Sequence, residues 1–221
     1  MNLNILAFTD FHGNEDAYVR AKQLIAEKKP SFVIVAGDIF NHNPDRAGQH
    51  LLDLASAGRS IYFIPGNMDG VGLAAWHGVE NVHGLHGRCE YVGDVALLGL
   101  GGSPHSPFRT VFEYSEEEAA GLLEEATKSY HGGRLIVVSH CPPKDTKLDK
   151  VSSGEHIGST SVRKFVEEQK PILVISGHVH EAQGIDRIGS TTLVNTGPAQ
   201  RGNYATVALN ELMTVRLLSF H

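Results

Sequence analysis

The sequence predicts an α/β fold built on a largely parallel sheet. Short apolar runs alternate with stretches of helical period, and 221 residues are enough to bury a large core. A chain that is 41% hydrophobic and 20% charged is neither disordered nor a coiled coil. The length fits a single domain over residues 1–221.

Leu3 to Phe8 is an apolar run of strand length. Ala17, Ala21, Leu24 and Ile25 then recur at i, i+4, i+7 and i+8, a helical stripe that Asn14 is placed to cap. Phe32 to Ala36 is the next strand. The stripe Ala47, Leu51, Leu54, Ala55 follows with Pro44 in its first turn, and Ile61 to Ile64 completes a βαβαβ pattern whose strands should pair in parallel. Glycines punctuate Gly70 to Gly102, with strands expected at Cys89 to Val92 and Val95 to Leu100. Ser115 and Glu118 form a capping box ahead of Ala119, Leu122, Leu123 and Ala126. Leu135 to Ser139 is a strand; Val162, Phe165 and Val166 mark a helix stopped by Pro171, before a strand at Ile172 to Ser176. Thr191 to Val194, Tyr204 to Leu209 and Met213 to Leu218 are joined by short polar links and read as antiparallel strands. No repeat, low-complexity tract or linker divides the chain.

Nineteen Lys and Arg against 25 Asp and Glu give a formal charge of -6, which argues against a long nucleic-acid footprint while leaving room for a small anion held locally. No apolar stretch approaches the ~18 residues of a membrane helix. The two cysteines, Cys89 and Cys141, lie too far apart in sequence for a zinc knuckle or a disulfide framework, and Leu3 to Phe8 lacks the basic leader of a signal peptide. A reducing cytoplasm is the expected location. Thirteen histidines, against 3 Met, 1 Trp and 2 Cys, direct attention to metal or proton chemistry.

Five strand-like runs end on a residue able to bind a metal: Thr9-Asp10-Phe11-His12, Gly37-Asp38, Gly66-Asn67, Ser139-His140 and Gly177-His178-Val179-His180. Ligands of open α/β sheets collect outside the carboxyl ends of the strands, so the five endings have a common place to meet. Asp10 with His12, and His178 with His180, are spaced i and i+2, which in extended chain turns both side chains to one side, roughly 6 to 7 Å apart at the backbone. The glycines before Asp38, Asn67 and His178 allow a sharp exit from the strand and close backbone approach. Any one of these dipeptides is more often an ordinary turn or surface loop. Five in one chain, all at strand ends, are better explained by a shared metal pocket.

Asp10-Phe11-His12-Gly13, Gly37-Asp38, Gly66-Asn67-x-Asp69, His140 and Gly177-His178-Val179-His180, in this order, resemble the calcineurin-like metallophosphoesterase superfamily, over roughly residues 3 to 200. Asn195-Thr196-Gly197-Pro198 is similar to the small prokaryotic, phosphodiesterase-like members. The resemblance implies a four-layer α/β/β/α sandwich with two central mixed sheets and two divalent transition-metal ions between their strand ends. By motif position, Asp10, His12 and His180 would hold one ion, Asn67, His140 and His178 the other, and Asp38 would bridge them; Asn67 is counted with the catalytic residues too. Two such dications, two carboxylates and a bridging hydroxide leave a formal excess of about +1, the sign that draws in a phosphate ester. The hydroxide would attack phosphorus in line. Imidazole and oxygen donors without thiolate favour Mn, Fe, Zn, Ni or Co over Mg or Ca, and Mn is preferred among them by availability.

The family's third block usually carries a histidine straight after the asparagine. Here the residue is Met68, which cannot protonate a leaving group, a loss worth about 10² to 10⁴ in rate where an acid is needed. His105 in Ser103-Pro104-His105 is the first substitute candidate, with His42 and Asp69 behind it. Arg201, following the motif-bearing loop, and Arg109 are candidates for gripping a phosphate oxygen. Gly99 to Ser103 lacks the lysine of a P-loop, Cys141 points away from its neighbour His140, and Lys144, Lys147 and Lys150 read as a solvated basic stretch. The expected function is hydrolysis of small phosphodiesters. Its rivals are a metal-retaining binding or scaffold module and a phosphomonoesterase.

Overall fold

The computed structural model describes residues 2–220. Strand β1 (Leu3–Phe8) leads into α1 (Glu15–Lys28), where the Asn14 side chain accepts from Ala17 N and Lys29 ends the helix in a left-handed turn. Then come β2 (Phe32–Ala36), α2 (Pro44–Ala55), β3 (Ile61–Ile64), the single turn α3 (Gly72–Ala75) and β4 (Val82–Gly84). A second series holds β5 (Arg88–Val92), β6 (Val95–Leu100), β7 (Ser103–Pro104), β8 (Glu113–Tyr114), α4 (Glu116–Thr127) and β9 (Arg134–Ser139). It continues through α5 (Thr160–Gln169), β10 (Leu173–Ser176), β11 (Gly184–Ile188) and β12 (Thr191–Asn195), and β13 (Asn203–Leu209) and β14 (Met213–Ser219) follow. The Ser115–Glu118 capping box forms at the start of α4, both halves bonded.

Two six-stranded mixed sheets result, in the orders β14-β13-β1-β2-β3-β4 and β11-β12-β10-β9-β6-β5. The β1 to β4 pairs are parallel, as are β6-β9 and β9-β10. Strands such as Phe32–Ala36 and Val95–Leu100 are buried at every residue because both faces are covered. Leu6, Phe8, Val35 and Phe63 face α1 and α2 on one side; Ile5, Ile34, Ile64, Leu97, Val138 and Ile175 fill the space between the sheets. Leu98, Val137 and Val174 meet Leu123, Val162 and Phe165 of α4 and α5 on the far side. The layers are therefore α/β/β/α.

The tail differs from its sequence reading in one respect. β13 and β14 are antiparallel, but β12 runs parallel to β10 and belongs to the other sheet from β13. Its antiparallel partner is β11, a half-exposed Gly-Ile-Asp-Arg-Ile segment with too few apolar residues to stand out as a strand. Three-residue β4 and single-turn α3 also lie inside the glycine-punctuated stretch, where no period marks them. No helix among the described residues is long and apolar enough to cross a membrane.

Candidate metal centre

The five strand ends meet along the seam between the sheets. β1, β2 and β3 of the first sheet deliver Asp10, His12, Asp38 and Asn67; β9 and β10 of the second deliver His140, His178 and His180. Asp10, His12, Asp38 and His178 all have left-handed backbone, with φ of 55°, 48°, 51° and 65°. Such strain costs on the order of 1–3 kcal/mol per residue and persists only where neighbours fix the chain. Asp10 N donates to Gly37 O at 2.9 Å, His12 N to Asp38 O at 2.8 Å and Gly177 N to His140 O at 3.1 Å. Buried Asp69 accepts from Ile39 N, Phe40 N and Gly66 N, pinning the second and third loops together. Two glycines are required by proximity: a Cβ on Gly66 would collide with Asp38 N and Oδ1, and one on Gly177 with Thr9 and Asp10.

Asp10 Oδ2 accepts from His178 N at 3.1 Å, whereas its buried Oδ1 has no hydrogen-bond donor although His180 Nε2 lies 3.1 Å away and His12 Nε2 3.7 Å away. His12 Nε2 and His180 Nε2 are 3.3 Å apart. Asp38 Oδ2 stands 3.6 Å from His12 Nε2 and 3.5 Å from His140 Nε2, while its Oδ1 accepts from Met68 N. Asn67 Oδ1 is 3.0 Å from His140 Nε2 and 2.8 Å from His178 Nδ1. Among the described residues, two groups gather one ligand-type atom from each member within 4.8 Å of one another: Asp10, His12, His180 and Asp10, Asp38, His140.

Burial opposes ionisation of Asp10, yet the nearby His180 and His140 hold its carboxyl below the usual range; burial is likewise outweighed at Asp38 by the charge of the adjacent His140. Burial also opposes a charged His140, but Asp38 lifts it to about 9, whereas burial and His140 push His178 down to about 4. Burial and the Asp38 charge raise Asp69 to about 7, against its backbone donors. An oxygen-and-imidazole pocket with an unpartnered carboxylate oxygen and facing nitrogens suits a borderline divalent cation. Cys141 offers no thiolate: burial drives its pKa far up and its Sγ faces the Pro142 and Ile157 carbonyls.

The remaining sequence candidates lie around this centre. Met68 is half-buried, its carbonyl accepting from His42 N. His105, 68% exposed, lines a cavity of about 740 Å³ that reaches Asn67 and His178. Arg201 lines a smaller cavity of about 280 Å³ with His178 and His180. Arg109 is exposed and lines neither. Three supporting residues carried no sequence signal. Asn41 Oδ1 bonds His12 Nδ1 at 2.9 Å, fixing the ring so that Nε2 faces the centre. Asn67 Nδ2 donates to Thr110 Oγ1 at 3.1 Å, and Thr110 Oγ1 donates to Glu113 Oε1 at 2.7 Å. Burial works against the charge on Glu113, but the hydrogen bonds from Ser106 and Thr110 carry its carboxyl down to about 2.

The sandwich and its strand-end cluster define a class, and the sequence comparison agrees. Residues 3–182 match the profile of the calcineurin-like phosphoesterases, and the chain belongs to that family, one of metal-dependent phosphoric ester hydrolases. Among its relatives is an uncharacterized protein of Methanocaldococcus jannaschii, MJ1162, 29% identical over 208 residues that cover 92% of each chain. The human metallophosphoesterase domain-containing protein 1 is 27% identical over 169 residues, 74% of this chain but 48% of the human one, so the match spans about half of that relative. The crystal structure of TT1561 from Thermus thermophilus shares the fold with a TM-score of 0.74 at 16% identity, covering 98% of this chain and 99% of that one.

Proposed function

We propose that this chain is a two-metal phosphodiesterase of the cytoplasm, acting as one unit over residues 1–221 on small phosphodiesters. Asp10, His12 and His180 would hold one cation, Asn67, His140 and His178 the other, with Asp38 between them. The observation that carries the reading is Asp10 Oδ1: a buried carboxylate oxygen without a donor, facing two imidazole nitrogens, is costly unless a cation completes it. Manganese is favoured, on availability, among the transition metals this donor set accepts. Bound cations lower the pKa of water and polarise phosphoryl oxygens.

The protein's own part is orientation. Asn41 turns His12 and Thr110 turns Asn67 so that their acceptor atoms face inward. The diester assignment is supported by two cavities that share His178 and Ile157, one for each organic arm of the ester. Arg201 supplies a cation for a non-bridging phosphate oxygen in the smaller one. Met68 brings no proton, which favours esters with good leaving groups.

Manganese-loaded protein is expected to hydrolyse bis(p-nitrophenyl) phosphate with higher kcat/KM than p-nitrophenyl phosphate, and Asp38→Asn to lower that activity about a hundredfold or more. Preference for the monoester would overturn the diester assignment. No turnover with Mn, Fe, Co, Ni or Zn would overturn the enzyme reading and leave a metal-retaining scaffold.

A further inference from the structure

The larger cavity has a chemistry of its own. It opens from Asn67 and His178, and its walls are Pro104, Pro107, Phe108 and Ile157. Phe108 is 86% exposed at the rim, a large aromatic side chain without cover. The wall is nevertheless built rather than loose. Glu113 takes hydrogen bonds from Ser106 N and Oγ and from Thr110 N and Oγ1 at 2.6 to 3.1 Å, and Phe112 N donates to Asn67 O at 3.0 Å. The same segment that shapes the cavity therefore touches the candidate metal centre through both the backbone and the side chain of Asn67.

Its fixed charges lean against an anion, two carboxylates, Glu116 and Glu117, against one lysine, Lys144. Lys144 is the cation among the lining residues, and its Nζ donates to His156 O at 2.9 Å. The Glu116 carboxylate is engaged by Ser159 Oγ, Thr160 N and Ser161 N, while Glu117 is an exposed carboxylate on the same wall. A second phosphate placed there would meet negative charge. A flat uncharged ring would lie against proline and phenylalanine faces.

We infer that this cavity is a specificity subsite for an uncharged aromatic arm of the phosphoester, and that it discriminates against substrates whose arm carries a further anionic group. The inference rests on the phosphoesterase reading and adds the class of substituent. Calorimetry on the manganese-loaded protein separates the two. Phenylphosphonate is expected to bind about tenfold or more tightly than methylphosphonate, the worth of burying one ring, and 4-carboxyphenylphosphonate is expected to lose most of that gain. Phe108→Ala and Ile157→Ala, both at exposed side chains, should each reduce the phenyl-to-methyl affinity ratio at least threefold. Equal affinities for phenyl- and methylphosphonate, a ratio unmoved in both variants, or full retention of affinity by the carboxylated ring would each overturn the subsite while leaving the phosphoesterase reading intact. Binding of none of the three phosphonates would overturn both.

Discussion

Asn67 can present its carbonyl oxygen to His140 and His178 only while its amide nitrogen has somewhere else to go. Thr110 provides that place, and Glu113 holds the Thr110 hydroxyl in turn. Thr110→Val keeps the shape and removes the acceptor, so manganese affinity measured by calorimetry is expected to fall about tenfold to hundredfold, the usual worth of a residue that orients a ligand. An unchanged affinity would mean that Asn67 needs no such partner. The seven candidate ligands stand out in the sequence because each is the first polar residue, or nearly so, after a buried apolar run. Thr110 sits in a loop with no period and no motif, and its importance exists only through a contact across 43 residues of sequence. His105 is different: in its glycine-rich loop the side chain is largely exposed, with Nδ1 3.7 Å from Glu113, and no local pattern fixes where such a ring points.

At the level of elements, the loops leaving the strands matter more than the strands themselves. The exit from β3 passes so close to the exit from β2 that Gly66 has no space for a side chain beside Asp38. Gly66→Ala should push the two loops apart, lowering both the melting temperature and manganese affinity, the latter at least about tenfold by the same orienting argument. A variant with native affinity would show that the loops have slack. Helices and long strands could be read because their periods and caps are local: Asn14, Pro44 and the Ser115–Glu118 pair all act within a few residues. β4, β11 and the sheet membership of β12 could not, since those pairings are decided by which edge the folded chain leaves open.

The molecule as a whole divides its candidate ligands between two sheets, four residues from the first and three from the second. Cations held there would fasten the sheets together across their shared apolar interior. Manganese at about 100 times its dissociation constant would contribute about 2.7 kcal/mol, or roughly 5 to 10 °C in melting temperature for a protein of this size. Calorimetry should therefore show melting rise with manganese and fall back with a chelator; a melting point indifferent to both would argue that the seam is not crosslinked by metal. Sheet order has a further effect on how the chain reaches this state. Every strand of the second sheet lies in sequence between β4 and β13, yet β1 is flanked by β2 on one side and by β13 on the other, with Leu3 opposite Leu209. During synthesis on the ribosome, one edge of β1 stays unpaired until almost all the chain shown here has emerged, a long-range closure that slows folding. A nascent chain halted short of β13 would display that bare strand edge to its neighbours, the kind of template on which aggregates grow.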